Sequence, residues 1–155
     1  MTRHVQLAVV GALLGALVSG CGLLPVTRGD VCADWVLFEK PQDQFNEAAL
    51  VLIGIPAGRD GETSIYGYKA QFHVVEIETV LKGEPEPGQL QIASMPATCT
   101  QGVSYPDGDP LDQRRRMLIY ANKQDGYWFT ITPAQGAVPL DTGTPLPFAT
   151  TPAKG

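Results

Sequence analysis

Polar and apolar residues alternate most regularly between residues 66 and 83. Apolar side chains first occupy every second position, which is the period of a strand with one buried face. The phase slips at Val74 and Val75, so that Ile77 and Leu81 become candidates for the inward face. A slip inside a strand predicts a β-bulge, and a small closed barrel uses such a bent strand to turn a corner.

Shorter patterns predict the other elements. Residues 41–48 begin with a proline, which suits the first position of a short helix. A polar connection over residues 57–64 contains Asp60 and Gly61, a pair typical of a hairpin turn. Alternating or continuous apolar runs predict four further strands, at residues 49–56, 89–94, 116–122 and 127–132.

The 17 glycines and 13 prolines are spread along the chain, a frequency that favours short strands over long helices. Together these patterns predict an all-β domain over residues 32–140, a five-stranded OB-like antiparallel barrel with one short helix. A small β-sandwich is the alternative. Residues 141–155 are rich in proline and threonine and are expected to be disordered.

The first residues have the features of an export signal. A short basic start precedes an apolar run over residues 5–18, which suits a signal peptide better than a membrane-spanning helix. The run ends in Val18-Ser19-Gly20-Cys21, which resembles the bacterial lipobox. The resemblance implies that residues 1–20 are removed and that Cys21 carries a diacylglycerol, with its amine open to acylation, for example by palmitate. The alternative is an ordinary secretory leader.

A lipid on Cys21 implies a protein held at the cell membrane, on the extracytoplasmic face. Residues 21–31 would then form a lipidated tether to the folded domain. The net charge of −5 argues against nucleic-acid binding, which needs clustered basic residues, and no nucleic-acid partner is expected. In an exported chain Cys32 and Cys99 are expected to form a disulfide, and two buried free thiols are the alternative.

The order of features resembles the N-terminal, netrin-like OB domain of the tissue inhibitors of metalloproteinases. The segments that carry the resemblance are residues 40–46, 49–52, 80–83, 96–99, 117–121 and 129–132. In that family the cysteine at the position of Cys32 is the free N-terminus and chelates the protease zinc. Here residues 21–31 precede Cys32, so this mode of chelation is not expected.

The resemblance also implies a bridge between Cys32 and Cys99, which would hold two segments together as one exposed ridge. The predicted interaction ridge consists of Ala33, Asp34, Trp35, Pro96, Ala97, Thr98 and Thr100. The long connection between the third and fourth predicted strands contributes part of this surface. Long connections of this kind often carry function.

Candidate catalytic chemistry is sparse. His73 is expected to be solvated on the polar face of a strand, and Glu76 and Glu78 share one face as exposed acids. Asp107, Asp109 and Asp112 could hold calcium, but their spacing lacks the full pattern of a calcium loop. No catalytic residue, metal or cofactor is predicted.

We therefore expect a non-enzymatic, lipid-anchored binding or protein-interaction module of unknown partner, with a protein at the cell surface as the candidate. The alternative is a metalloprotease inhibitor that uses the ridge held by Cys32 and Cys99.

Overall fold

The computed structural model describes residues 35–96, 98, 105 and 108–150. Helix α1 spans Pro41–Glu47, close to its predicted position. A single 3-10 turn follows much later in the chain, at Pro110–Asp112. The strands are β1 (Leu50–Ile65), β2 (Tyr68–Lys82), β3 (Gln89–Ala93), β4 (Met117–Gln124), β5 (Tyr127–Thr130) and β6 (Ala137–Pro139).

Five of these strands form a ring. Strand β1 pairs with β2 and also with β4, while β3 pairs with β2 on one side and with β5 on the other. The pairing of β4 with β5 completes the circuit, and β6 adds to β4 outside it. The all-β class with one short α-helix is thus confirmed for the described residues. One pairing, β3 with β5, is parallel, which differs from the antiparallel expectation.

The long β1–β2 hairpin departs from the sequence prediction in length. The register shifts between Pro56 and Gly58, opposite Val74 and Val75, but the extra residue is Ala57 of β1. The bulge predicted inside β2 at Val74 and Val75 is therefore wrong, since β2 keeps its register with β3 from Phe72 to Glu76. The predicted turn at residues 60–61 is wrong, because β1 continues to Ile65 beyond a second register shift. Polar residues can extend a two-stranded ladder into solvent, since the ladder itself satisfies their backbone groups.

Both faces of β1 are covered, which explains its continuous apolar start. Leu50 and Leu52 belong to a cluster inside the ring, and Val51 and Ile53 belong to a second cluster on the outer side. Side chains of successive residues point to opposite faces of a strand. The outer cluster is closed by α1 and by residues near the end of the described chain.

That final segment is packed, in contrast to the disorder expected from residue 141 onward. Phe148 is buried and stacks on Phe45 of α1, with ring centroids 4.4 Å apart. The backbone N–H of Ala149 donates to Gln42 Oε1 at 2.9 Å. Residues 141–150 therefore belong to the folded domain, because burial of the Phe148 ring stabilises a segment whose proline and threonine content alone favours disorder.

Candidate functional site

His73 lies at the centre of a buried polar cluster. The expectation that it is solvated is wrong, because its side chain has no exposed surface. Both Phe72 and His73 are buried, so the two faces of β2 are covered at this point. His73 lies on the same face as Val75 of the inner cluster, and there it meets Asp109 and Asp112 at the 3-10 turn. His73 Nε2 lies 3.1 Å from Asp109 Oδ2, and Nδ1 lies 4.0 Å from Asp112 Oδ1.

Asp109 ties three elements together. Its Oδ1 accepts hydrogen bonds from Ser94 Oγ at 2.8 Å and from the N–H of Leu111 at 2.9 Å. Burial acts to raise the Asp109 pKa, but the hydrogen bonds from His73, Ser94 and Leu111 together outweigh it and lower the pKa below its ordinary value. Asp109 is consequently an ionised acceptor that caps the 3-10 turn.

Asp112 is held from the other side by Arg59 of β1. Arg59 Nε and Nη2 donate to Asp112 Oδ1 and Oδ2 at 2.7 and 2.5 Å, a forked arrangement that fixes the carboxylate plane. The hydrogen bond to Asp112 raises the pKa of Arg59. This pairing was not predicted, because no local pattern connects two residues so distant in sequence.

The cluster does not have the order of a catalytic triad. Asp109 contacts both Ser94 and His73, whereas a catalytic histidine must itself contact the nucleophile. Ser94 is also buried. The described part of the acidic loop brings Asp109 and Asp112 together around an imidazole, and Asp107 lies outside the described residues.

A second feature is an exposed surface at the tip of the β1–β2 hairpin, which we call the aromatic face. It consists of Trp35, Val36, Tyr66 and Tyr127. The last three are among the five large hydrophobic side chains that are exposed in the described part of the chain, with exposed fractions from 52% to 65%.

Two grooves connect the members of the aromatic face. One, of about 290 Å³, is lined by Trp35, Val36 and Tyr66, and the other, of about 210 Å³, by Tyr66 and Tyr127. The rings of Trp35 and Tyr66 tilt against each other at 6.2 Å. Trp35 Nε1 is buried and has no hydrogen-bond partner among the described residues. Tyr66 is therefore the link between the two grooves.

Tyr66 occupies a strained position in the hairpin turn. Its φ of +53° is left-handed, and Gly67 follows at +84°. Two-residue hairpins favour this geometry but usually place asparagine, aspartate or glycine first. A left-handed conformation costs a residue with a Cβ about 1–2 kcal/mol. Strain of this kind concentrates at functional positions.

The predicted ridge is only partly within the described residues. Trp35 is half-buried, whereas Pro96 and Thr98 are buried, so the expectation that these two are exposed is wrong. Met95, just before them, donates its N–H to Thr130 Oγ1, which draws this segment against β5. The other predicted site residues lie outside the described residues, namely Cys21, Cys32, Ala33, Asp34, Ala97, Cys99 and Thr100.

No family model matches the chain, and no curated protein is similar to it. Among the residues that the structure describes, no helix is both long and apolar enough to span a membrane.

Proposed function

We propose that the protein is a lipid-anchored, non-enzymatic binding module with an OB-like barrel, which holds a protein partner on the extracytoplasmic face of the cell membrane. The aromatic face is the observation that carries this proposal. Exposed tyrosine and tryptophan side chains grouped around grooves are typical of binding hot spots. Contiguous exposed apolar patches on soluble domains mark interaction sites.

The position of the aromatic face supports an anchored role. Trp35 and its neighbours follow directly on the predicted tether, and an extended chain from Cys21 to Trp35 spans at most about 50 Å. A lipid on Cys21 would therefore keep the aromatic face within that distance of the membrane surface. A partner at the same membrane would meet it at a high effective concentration.

The charges beside the aromatic face favour a protein partner over the lipid surface. Glu47 lines the groove next to Trp35, and Asp125 lines the groove next to Tyr127. Neither groove is lined by lysine or arginine. Anionic lipid headgroups attract basic residues, so the two carboxylates instead suit a protein segment with apolar anchors and basic neighbours.

Site-specific crosslinking in cells would test the surface. A photoreactive amino acid at Tyr66 should form a discrete protein adduct, and the yield should fall when Val36→Asp is added, because Val36 lines the same groove. The same probe at Val80, which is exposed at the other end of β2, should form none. Adducts with lipid alone, or equal adducts from both positions, would contradict the proposal.

The anchor and the alternative function need separate tests. Cys21→Ala should release the protein from membranes, and a variant that still sediments with them would rule out lipidation at this residue. Metalloprotease inhibition that is lost on Trp35→Ala would instead support the inhibitor function that the family resemblance implies.

A further inference from the structure

One buried nitrogen in the polar cluster is not accounted for by the protein itself. His73 Nδ1 has no hydrogen-bond partner among the described residues, although its side chain is fully buried. Nearly all buried polar atoms in proteins are satisfied, because an unpaired one costs a large part of its hydration energy. Asp112 Oδ1 lies 4.0 Å from His73 Nδ1, which is too far for a hydrogen bond.

The other ring nitrogen explains why Nδ1 presents a lone pair. Asp109 is an ionised acceptor, so the ring proton lies on Nε2 and is donated to Asp109 Oδ2. When the imidazole is uncharged and its proton is on Nε2, Nδ1 is an acceptor, which is the form in which histidine binds metal ions. Two acceptors, His73 Nδ1 and Asp112 Oδ1, therefore face each other, an arrangement that a cation between them would stabilise.

We propose that His73 Nδ1 and Asp112 Oδ1 bind a divalent transition-metal ion, zinc in the first instance, with water completing the coordination. Zinc–nitrogen and zinc–carboxylate bonds are each about 2.0–2.2 Å, so a separation near 4 Å is bridged with only small side-chain movements. The imidazole ligand selects against calcium and magnesium, which take oxygen ligands. The site thus differs from the calcium loop considered from the sequence.

The surrounding residues have the roles found around metal ligands. A histidine ligand usually donates its second N–H to a carboxylate, as His73 does to Asp109, and carboxylate ligands are themselves hydrogen-bonded. Arg59 donates the hydrogen bond that holds the Asp112 carboxylate, and Asp112 Oδ1 keeps a further lone pair for an ion. Its guanidinium lowers the affinity for a cation, but the two carboxylates of the cluster leave a net negative charge.

An ion could reach the site from solvent. The Asp112 side chain is 35% exposed and that of Arg59 is 56% exposed, so the cluster opens to the surface on the Asp112 side. With two protein ligands, the affinity should be well below that of four-ligand structural zinc sites.

Calorimetric titration of the full chain in detergent, without a polyhistidine tag, would test the proposal. Zinc should bind at one ion per chain, and calcium or magnesium should give no heat of binding at the same concentration. His73→Ala should abolish zinc binding. Glu76→Ala is the matched control, since Glu76 is exposed on the same strand and lies outside the cluster, and it should bind like the wild type.

Two further variants keep the proposal testable if the His73→Ala protein does not fold. Asp112→Asn lies at the open edge of the cluster and should weaken zinc binding at least tenfold. Asp109→Asn removes the partner of Nε2 and should weaken it by roughly 10–100-fold, as outer partners of metal ligands do. No zinc binding by the wild type, or unchanged binding by Asp112→Asn, would overturn the proposal.

Discussion

Replacement of Phe148 by alanine tests whether the last described segment stabilises the domain. Phe148 is 9% exposed, stacks on Phe45 and meets Tyr120 edge-on at 6.0 Å. Deletion of a buried phenylalanine ring typically costs 3–5 kcal/mol, part of which is the cavity left behind. Phe148 lies at the rim of the outer cluster, where neighbouring side chains can relax, so we expect a loss of about 3 kcal/mol.

Urea unfolding followed by tryptophan fluorescence would measure this loss, since Trp128 packs against the inner cluster. With a slope of about 2 kcal/mol per molar urea, the midpoint should fall by about 1.5 M. Leu37→Ala is the control, because Leu37 is 75% exposed and its truncation should cost less than about 0.5 kcal/mol. A Phe148→Ala midpoint within the range of this control would show that residues 141–150 contribute nothing to stability.

Three further predictions concern the hairpin and the polar cluster. Gly54→Ala should destabilise the fold by about 1–3 kcal/mol in the same urea assay, because its Cβ would lie 2.7 Å from the Glu76 carbonyl oxygen; unchanged stability would refute the close approach. Asp109 has a lowered pKa, so the ionised carboxylate stabilises the fold at neutral pH, and this stabilisation is lost as the pH falls through the lowered value. Asp109→Asn should accordingly make the free energy of unfolding depend less on pH below about pH 4. Tyr66→Asn should change the free energy of unfolding by less than about 0.5 kcal/mol, because relief of left-handed strain offsets the lost contact with the Trp35 ring. A loss above about 1 kcal/mol would show that the ring contact contributes more than the strain costs.

The elements with a clear period were predictable from the sequence. The helix was expected at residues 41–48 and is found at Pro41–Glu47, and the strand expected at residues 89–94 is found at Gln89–Ala93. These features depend on local pattern alone. The short strand β6 has only three residues and no alternation to reveal it, and its position depends on pairing with β4.

The residues of the polar cluster were not predictable for a related reason. Period-two alternation assigns His73 to the polar, outward face, and that assignment is wrong, because His73 shares the face of Val75, which belongs to the cluster inside the ring. What the pattern does not reveal is that the segment around Asp109 folds over this face and excludes water. Contacts of this kind depend on which distant segments meet, and a sequence pattern describes only which face a residue occupies.

The irregularities of the long hairpin connect the polar cluster with the fold. Arg59 and His73 are direct partners across the β1–β2 ladder, and register shifts flank this pair on both sides. Residues directly opposite in an antiparallel pair point to the same face, so both side chains meet the 3-10 turn at Asp112. Bulges bend a strand and redirect its side chains. The two shifts therefore have a structural reason that is independent of the closure of the five-stranded ring, because they direct Arg59 and His73 toward the Asp112 carboxylate. Beyond them the polar part of the ladder continues toward Tyr66.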